Sequence, residues 1–343
     1  MTETFIWVRC YFCLAYRVLC YAATAAACYL LIFSKLNAAA QIKKSKLELY
    51  FKIYYNKYNL SAEVFAMIYE KHVLDVPYEK AGVNSNGCEA VLTTFIPDRL
   101  PHDTRNVKHT AVIICPGGGY DYCSVREAEP VALRFASHDV TAFVLNYSCY
   151  KKPFPTNLLE LAAAVRFVRE NAEKFGIDPD RIFVCGFSAG GHLAASLGVH
   201  WSKAFVSEPF GIGAEMFRPT GQILCYPVIT AGEMRHDGSI RNLVGDDLDG
   251  EKAQLVSLEK QVTSDTVPTF IWSTCDDELV PVENTILFTA SLAAAKVPFA
   301  SHIFSSGVHG LALADECTAN YDGHINPECA EWVKLALDWI KRI

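Results

Sequence analysis

Basic excess, internal repeats and paired metal-ligand motifs are all missing from this chain of 343 residues. Lys and Arg number 31 against 38 Asp and Glu, a net charge of −7, so no basic excess offers a face to nucleic acid. No segment recurs at a period of about 20–50 residues, which removes solenoid and propeller architectures. Thirteen cysteines are present. The single C-x-x-C pair, Cys10 and Cys13, lies in the N-terminal segment, and the nine that follow are an odd number. This predicts a reducing compartment and no disulfide framework. Cys115, Cys185, Cys225 and Cys275 lie in or beside apolar runs, where a free cysteine acts as a small buried hydrophobe. The G-x-x-x-x-G-K-[ST] spacing of a nucleotide-binding loop does not occur. The acidic stretch GDDLDGE (245–251) lacks the twelve-residue ligand spacing of a calcium loop and reads as a solvated turn. Neither a metal nor an organic cofactor is predicted.

What is there divides into three parts: an apolar N-terminal segment (1–40), a basic aromatic linker (41–70) and a regular α/β body (71–343). The run VLCYAATAAACYLLIF (18–33) has 16 uncharged residues and follows Arg9 and Arg17. A membrane helix needs about 20 apolar residues. NAAAQ (37–41) resembles a signal-peptidase site. Three readings stay open: a signal peptide or anchor with membrane contact through residues 5–33, an amphipathic or buried helix, and an extension without a role. The localisation expected is cytoplasmic for the body, tethered through the segment, with secretion as the alternative. KKSKLELYFKIYYNKY (43–58) suits a linker or an interfacial segment.

The length and the 51% hydrophobic content suffice for one large α/β domain or two smaller ones. Apolar strands are predicted at 88–97, an edge strand closed by Pro97, and at 109–115, 140–148, 181–185, 221–228, 268–274 and 298–304. Helices are predicted at 157–176, 282–296 and 327–340; in the first, Leu158, Leu161, Val165 and Val168 share a face and Gly176 stops the helix. Strands without strict alternation, separated by helices, imply a mostly parallel, doubly wound sheet covered on both faces. Reactive groups on such a sheet belong at the carboxyl ends of its strands.

Three motifs fall there. GFSAGGH (186–192) places Ser188 as G-x-S-x-G between strand and helix, a turn that pushes its hydroxyl out over the sheet edge. The bland alternative is a helix N-cap. CPGGGYDY (115–122) bares glycine amides, and Gly118, Gly119 and the amide of Ala189 are the candidate oxyanion donors. His309, in FSSGVHGL after the last strand, is the candidate base. His302 lies within that strand, His192 should point away from the turn or brace it, and His324 is a weaker candidate. His72, His102, His109, His138, His200 and His236 have no matching context. The orienting carboxylate should lie between Ser and His, in TCDDELVPVEN (274–284), where Asp276 and Asp277 are both available and Glu278 is less suited. This set is that of covalent acyl transfer. WSKAFVSEPFGIGAEMF (201–217) is expected to shape the acyl pocket, and no large lid is evident, which disfavours long-chain lipids.

The order PGGGY, GFSAGGH, CDDELVPVEN, GVHGL resembles the α/β-hydrolase superfamily. Within it, residues 70–343 are similar to the acetyl esterase/lipase group related to hormone-sensitive lipase, nearest to bacterial acetylxylan-esterase-like carbohydrate esterases. REAEPVALRF, LLELAAAVRFVRE, CYPVIT and NPECAEWV belong to the likeness. It implies the α/β-hydrolase fold, Ser188 as nucleophile, His309 as base and the glycine loop with Ala189 as oxyanion site. The family's acid lies four residues before the proline of D-x-x-V-P, which is Asp277. Pro116 departs from the lipase-like relatives, which carry there a His that braces the loop. The expected function is removal of short acyl groups, acetyl above all, from a carbohydrate or other small ester. Hydrolysis of an aryl formamide or a peptide is the alternative, and a non-catalytic binding protein on a hydrolase scaffold is the rival from another class. The oligomeric state is left open.

Overall fold

The computed structural model describes residues 67–97 and 107–343. The readings of 1–40 and of the linker up to residue 66 lie outside the described residues. Ile68, at the linker's predicted end, already pairs with Ile96. Among the described residues no helix is long and apolar enough to cross a membrane.

One eight-stranded sheet carries the structure. In chain order the elements are β1 (Lys71–Val73), β2 (Val91–Phe95), β3 (His109–Cys115), α1 (Glu129–Ala136), β4 (Thr141–Asn146), α2 (Thr156–Glu170), β5 (Ile177–Phe187), α3 (Ala189–His200), β6 (Gly221–Cys225), α4 (Asp237–Val244), β7 (Thr269–Thr274), α5 (Glu283–Ala294), β8 (Phe299–Phe304) and α6 (Trp332–Ile340), with short helical turns between them. The strands lie in the order β1-β2-β4-β3-β5-β6-β7-β8. The first two pair antiparallel and the remaining six are parallel. From β3 the chain steps outward to β4, then returns across β3 to β5 and proceeds the other way. The reversal leaves the carboxyl ends of β3 and β5 side by side, the place where an open α/β sheet forms its site.

Both faces are buried, which is why the strand sequences read as continuous apolar runs. Ile113, Val184, Leu224 and Ile271 point to one face, under Leu161 and Val165 of α2, Leu193 and Leu197 of α3 and Phe288 of α5. Their neighbours Val112, Phe183, Ile223 and Phe270 point to the other, under Phe135 of α1 and Trp332, Val333 and Trp339 of α6. α3 is buried all round, as a helix lodged inside the domain should be. α6 buries Trp332, Val333, Ala336, Leu337 and Ile340 and exposes Lys334 and Asp338, the 3.6-residue pattern of a covering helix.

Four expectations are corrected. The strand at 88–97 is not the edge: β1 pairs outside it, and at three residues β1 is too short to leave a period in the sequence. The helix read over 157–176 breaks at Asn171 before a short turn that Gly176 ends with φ +65°. The helix read over 327–340 is two, Pro327–Ala330 and α6, the first capped by the Asn326 side chain on the Cys329 amide at 3.1 Å. Cys275, placed among the core thiols, is exposed one residue past β7, whereas Cys115, Cys185 and Cys225 are buried.

Two measurements check this packing. Trp332 stacks on Trp272 with centroids 5.7 Å apart, and its indole donates to the Ala312 carbonyl at 2.9 Å. Trp332→Ala should lower unfolding free energy by about 3–5 kcal/mol, and Lys334→Ala by no more than about 0.5, in urea titrations. Equal effects would mean the helix is misphased. His192 and His200 are buried on α3, and burial lowers each imidazole to about 4. The unfolded chain protonates them near pH 6.5 and the folded chain only near 4, so stability is complete above the first value and falls as pH drops through that window. The fall should be on the order of 3 kcal/mol per histidine, and His200→Gln should flatten the slope by one proton.

Candidate active site

Ser188 sits at the tight turn between β5 and α3 with φ +52°, a strained conformation for a residue with a side chain. The turn survives because its neighbours are small. A Cβ on Gly186 would overlap the Gly190 carbonyl, and one on Gly190 would overlap the Cys115 carbonyl of β3. The Ser188 amide donates to the Cys225 carbonyl of β6 at 3.0 Å, and the Ser188 carbonyl accepts from Val228 at 3.1 Å. Four strain-bearing points therefore fix one side chain, which is 7% exposed.

His309 brings its Nε2 within 2.8 Å of Ser188 Oγ and its Nδ1 within 2.6 Å of Asp277 Oδ2. Asp277 is 5% exposed, and its Oδ1 accepts the amides of Leu279 and Val280 at 2.9 Å each. A carboxylate can only accept, so Nδ1 carries the ring proton and Nε2 faces the hydroxyl as an acceptor. The two acids left open by the residue pattern separate by position. Asp276 is exposed and accepts from the Gly307 amide at 2.6 Å and the Ser306 hydroxyl at 2.9 Å. The Gly307 bond, with that of Ser306, holds its carboxyl below the usual range. It anchors the loop that bears His309 without reaching the imidazole. Glu278 is exposed.

Gly118 and Gly119 have φ +124° and +65°, left-handed values that suit glycine. The carbonyls of this loop are occupied. Pro116 accepts from the Tyr147 hydroxyl at 2.6 Å, Gly118 from the Asp121 amide at 2.9 Å, and Gly119 from Asn242 Nδ2 at 2.9 Å. Their carbonyls are held and Ala189 opens the 12-residue α3, so the amides of Gly118, Gly119 and Ala189 stay the candidate oxyanion donors. His192 does brace the turn: Nδ1 meets the Tyr120 hydroxyl at 2.8 Å, and Nε2–H donates to the Val256 carbonyl at 2.9 Å.

Other predicted positions lie elsewhere. His302 packs on Phe270 at 5.1 Å between centroids, and His324 accepts the Asn320 amide at 3.2 Å. The segment 201–217 starts where α3 ends, about 18 Å along that helix from Ser188. Its Met216 carbonyl accepts from Arg169 of α2 at 2.6 Å. It packs on α2.

Two neighbours escaped the sequence reading. His236, set aside for want of context, caps α4 by accepting the Ser239 amide at 3.2 Å. Its ring lies 3.9 Å from where a Gly119 Cβ would be. Burial first, and the His309 charge second, lower its pKa. Tyr226 follows β6 and sets its ring edge-on to His309 at 5.1 Å; the strand-end rule applied to CYPVIT would have found it. Chemically, the constellation can transfer a proton from a hydroxyl to an imidazole beside amides that would receive an oxyanion.

A family model described as BD-FAE matches residues 99–292. The chain is 40% identical over 239 residues to endo-1,4-beta-xylanase B of Butyrivibrio fibrisolvens, covering 67% of this chain and 37% of that protein. It is 27% identical over 256 residues to an acetylxylan esterase of Xylanibacter ruminicola, covering 73% and 49%. The chain thus spans half or less of the length of these curated relatives. Among solved structures, an acetyl ester-xyloside bifunctional hydrolase from Caldicellulosiruptor lactoaceticus matches with a TM-score of 0.64 at 38% identity, covering 74% of this chain and 88% of that one. The chain belongs to the BD-FAE family and has the α/β-hydrolase fold.

Proposed function

We propose that the chain removes short acyl groups, acetyl above all, from a carbohydrate through a Ser188–His309–Asp277 relay and a covalent acyl-enzyme. The observation that carries the mechanism is the continuous line of contacts, 2.8 Å from Ser188 Oγ to His309 Nε2 and 2.6 Å from Nδ1 to Asp277. The carbohydrate part is supported by the likeness to a xylanase, an acetylxylan esterase and an acetyl ester-xyloside bifunctional hydrolase.

Ser188 Oγ attacks the ester carbonyl while Nε2 takes its proton. The carbonyl electron pair moves onto oxygen, which the amides of Gly118, Gly119 and Ala189 receive. Asp277 holds the ring in its tautomer and balances the imidazolium. The tetrahedral intermediate collapses, the sugar oxygen leaves with the proton from Nε2, and the acyl group stays on Ser188. Water then attacks the acyl-enzyme with Nε2 as base, and the carboxylic acid departs as Oγ regains its proton.

Ser188→Ala should lower kcat by about 10⁵–10⁶, and Asp277→Asn by about 10⁴, with folding unchanged by circular dichroism. Retention of most activity by Ser188→Ala would remove the assignment. Initial rates on an acetylated xylo-oligosaccharide, p-nitrophenyl acetate, p-nitrophenyl octanoate and a formanilide test the substrate. The acetylated sugar should have the highest kcat/KM and the octanoate a much lower one than the acetate. A preference for the formanilide would replace the carbohydrate reading.

A further inference from the structure

Glu127 is buried, 4% exposed, and no step above uses it. Among the described residues no cation pairs with it, yet a buried carboxylate is costly unless its lone pairs are met. They are met in an unusual way. Oε2 accepts the Gly117 amide at 2.8 Å, and Oε1 accepts the Tyr226 hydroxyl at 2.7 Å. The Tyr226 oxygen accepts the Ala312 amide at 2.8 Å. Gly117 precedes the two candidate oxyanion glycines, Tyr226 follows β6, which pairs with the strand leading to Ser188, and Ala312 lies three residues past His309. One carboxylate and one phenol therefore join three segments that are remote in sequence and meet only at the site.

The placement is tight as well as connected. A Cβ on Gly117 would come within 2.8 Å of Glu127 Oε2 on one side and 3.0 Å of the Ser188 Cβ on the other. Glu127 thus stands directly behind the loop. By drawing the Gly117 N–H backward, it fixes the peptide plane from which Gly118 and Gly119 continue with their amides uncommitted. Tyr226 carries φ +36° and is tied through its amide to the Trp272 carbonyl at 2.6 Å, so its hydroxyl has little freedom to follow a displaced partner. A shift of either loop breaks a bond to a buried group.

We propose that Glu127, acting through Tyr226, is a positioning residue that sets the oxyanion glycines and the His309 loop at a fixed separation. The inference rests on the proposed ester-hydrolysis reading. Glu127 touches no reacting atom; its effect is on where the oxyanion amides and the imidazole stand when the tetrahedral intermediate forms. An error of about 1 Å there costs on the order of 10²-fold in rate.

Glu127→Gln keeps the volume but has one acceptor oxygen; with that oxygen on the Gly117 amide, its NH2 group faces the Tyr226 hydroxyl and the Tyr226 proton loses its acceptor. Tyr226→Phe removes only the second link. The experiment compares wild type, the two single variants and the double variant on p-nitrophenyl acetate. Active sites are counted by stoichiometric reaction with a phosphonate ester. Each single variant should lose about 10–100-fold in kcat per titrated site with KM changed less than about threefold. The double variant should be no worse than the poorer single one, because both lie on one chain of bonds. A role limited to stability would lower the titrated fraction and leave kcat per site near wild type, which overturns the proposal; so would effects that multiply in the double variant. If Glu127→Gln does not fold, Tyr226→Phe decides alone: tenfold or more in kcat per site supports the link, and less than twofold refutes it. A wild type that neither titrates nor hydrolyses the ester would instead refute the underlying function.

Discussion

The close approach of α3 to the ends of β3 and β5 is the constraint on which the rest depends. It is possible only where Gly186 and Gly190 remove the Cβ atoms that would collide with facing carbonyls. That contact forces Ser188 into its left-handed turn and brings the glycine loop after β3 alongside. The strain at Ser188 is local, of the order of 1–3 kcal/mol, and is opposed by backbone bonds to β6. A nucleophile on a looser turn would satisfy its backbone more easily and its chemistry less well.

Around that turn several buried polar groups answer a backbone group or another side chain. Asp277 accepts two amides besides the imidazole, Asn284 Oδ1 accepts the amides of Ile229 and Thr230, and His192 joins Tyr120 to Val256. Glu160 accepts from Tyr78, from the Ser148 amide and from the Ser148 hydroxyl, while burial raises its pKa. Such groups contribute modestly to net stability and strongly to uniqueness, since a displaced partner leaves an unmet charge or dipole in a dry interior. The loops of the site are therefore held from behind.

Much of this was legible in the sequence because it is written in short motifs at strand ends. The turn at Ser188, the glycine loop and the histidine loop each follow an apolar run, and doubly buried strands announce themselves by the lack of alternation. Asp277 could be told from Asp276 only by likeness to a family, since the two acids are adjacent and differ in which way a single turn points them. β1 was invisible because three residues carry no period. Glu127 and His236 were missed because their links to the site cross long stretches of chain, 99 residues from Glu127 to Tyr226 and 117 from His236 to Gly119, and no local pattern records those; Tyr226 had a strand-end position as its only local signal.

The central claim is that Ser188, His309 and the three amides converge on one carbonyl. A crystal structure of the protein soaked with a small alkyl boronic acid tests it directly. The account expects boron bonded to Ser188 Oγ, one boronate oxygen about 2.7–3.1 Å from the amides of Gly118, Gly119 and Ala189, and another within reach of His309 Nε2. Boron bound to a different side chain, or a Ser188 adduct whose oxygens all face solvent away from those amides, would contradict it.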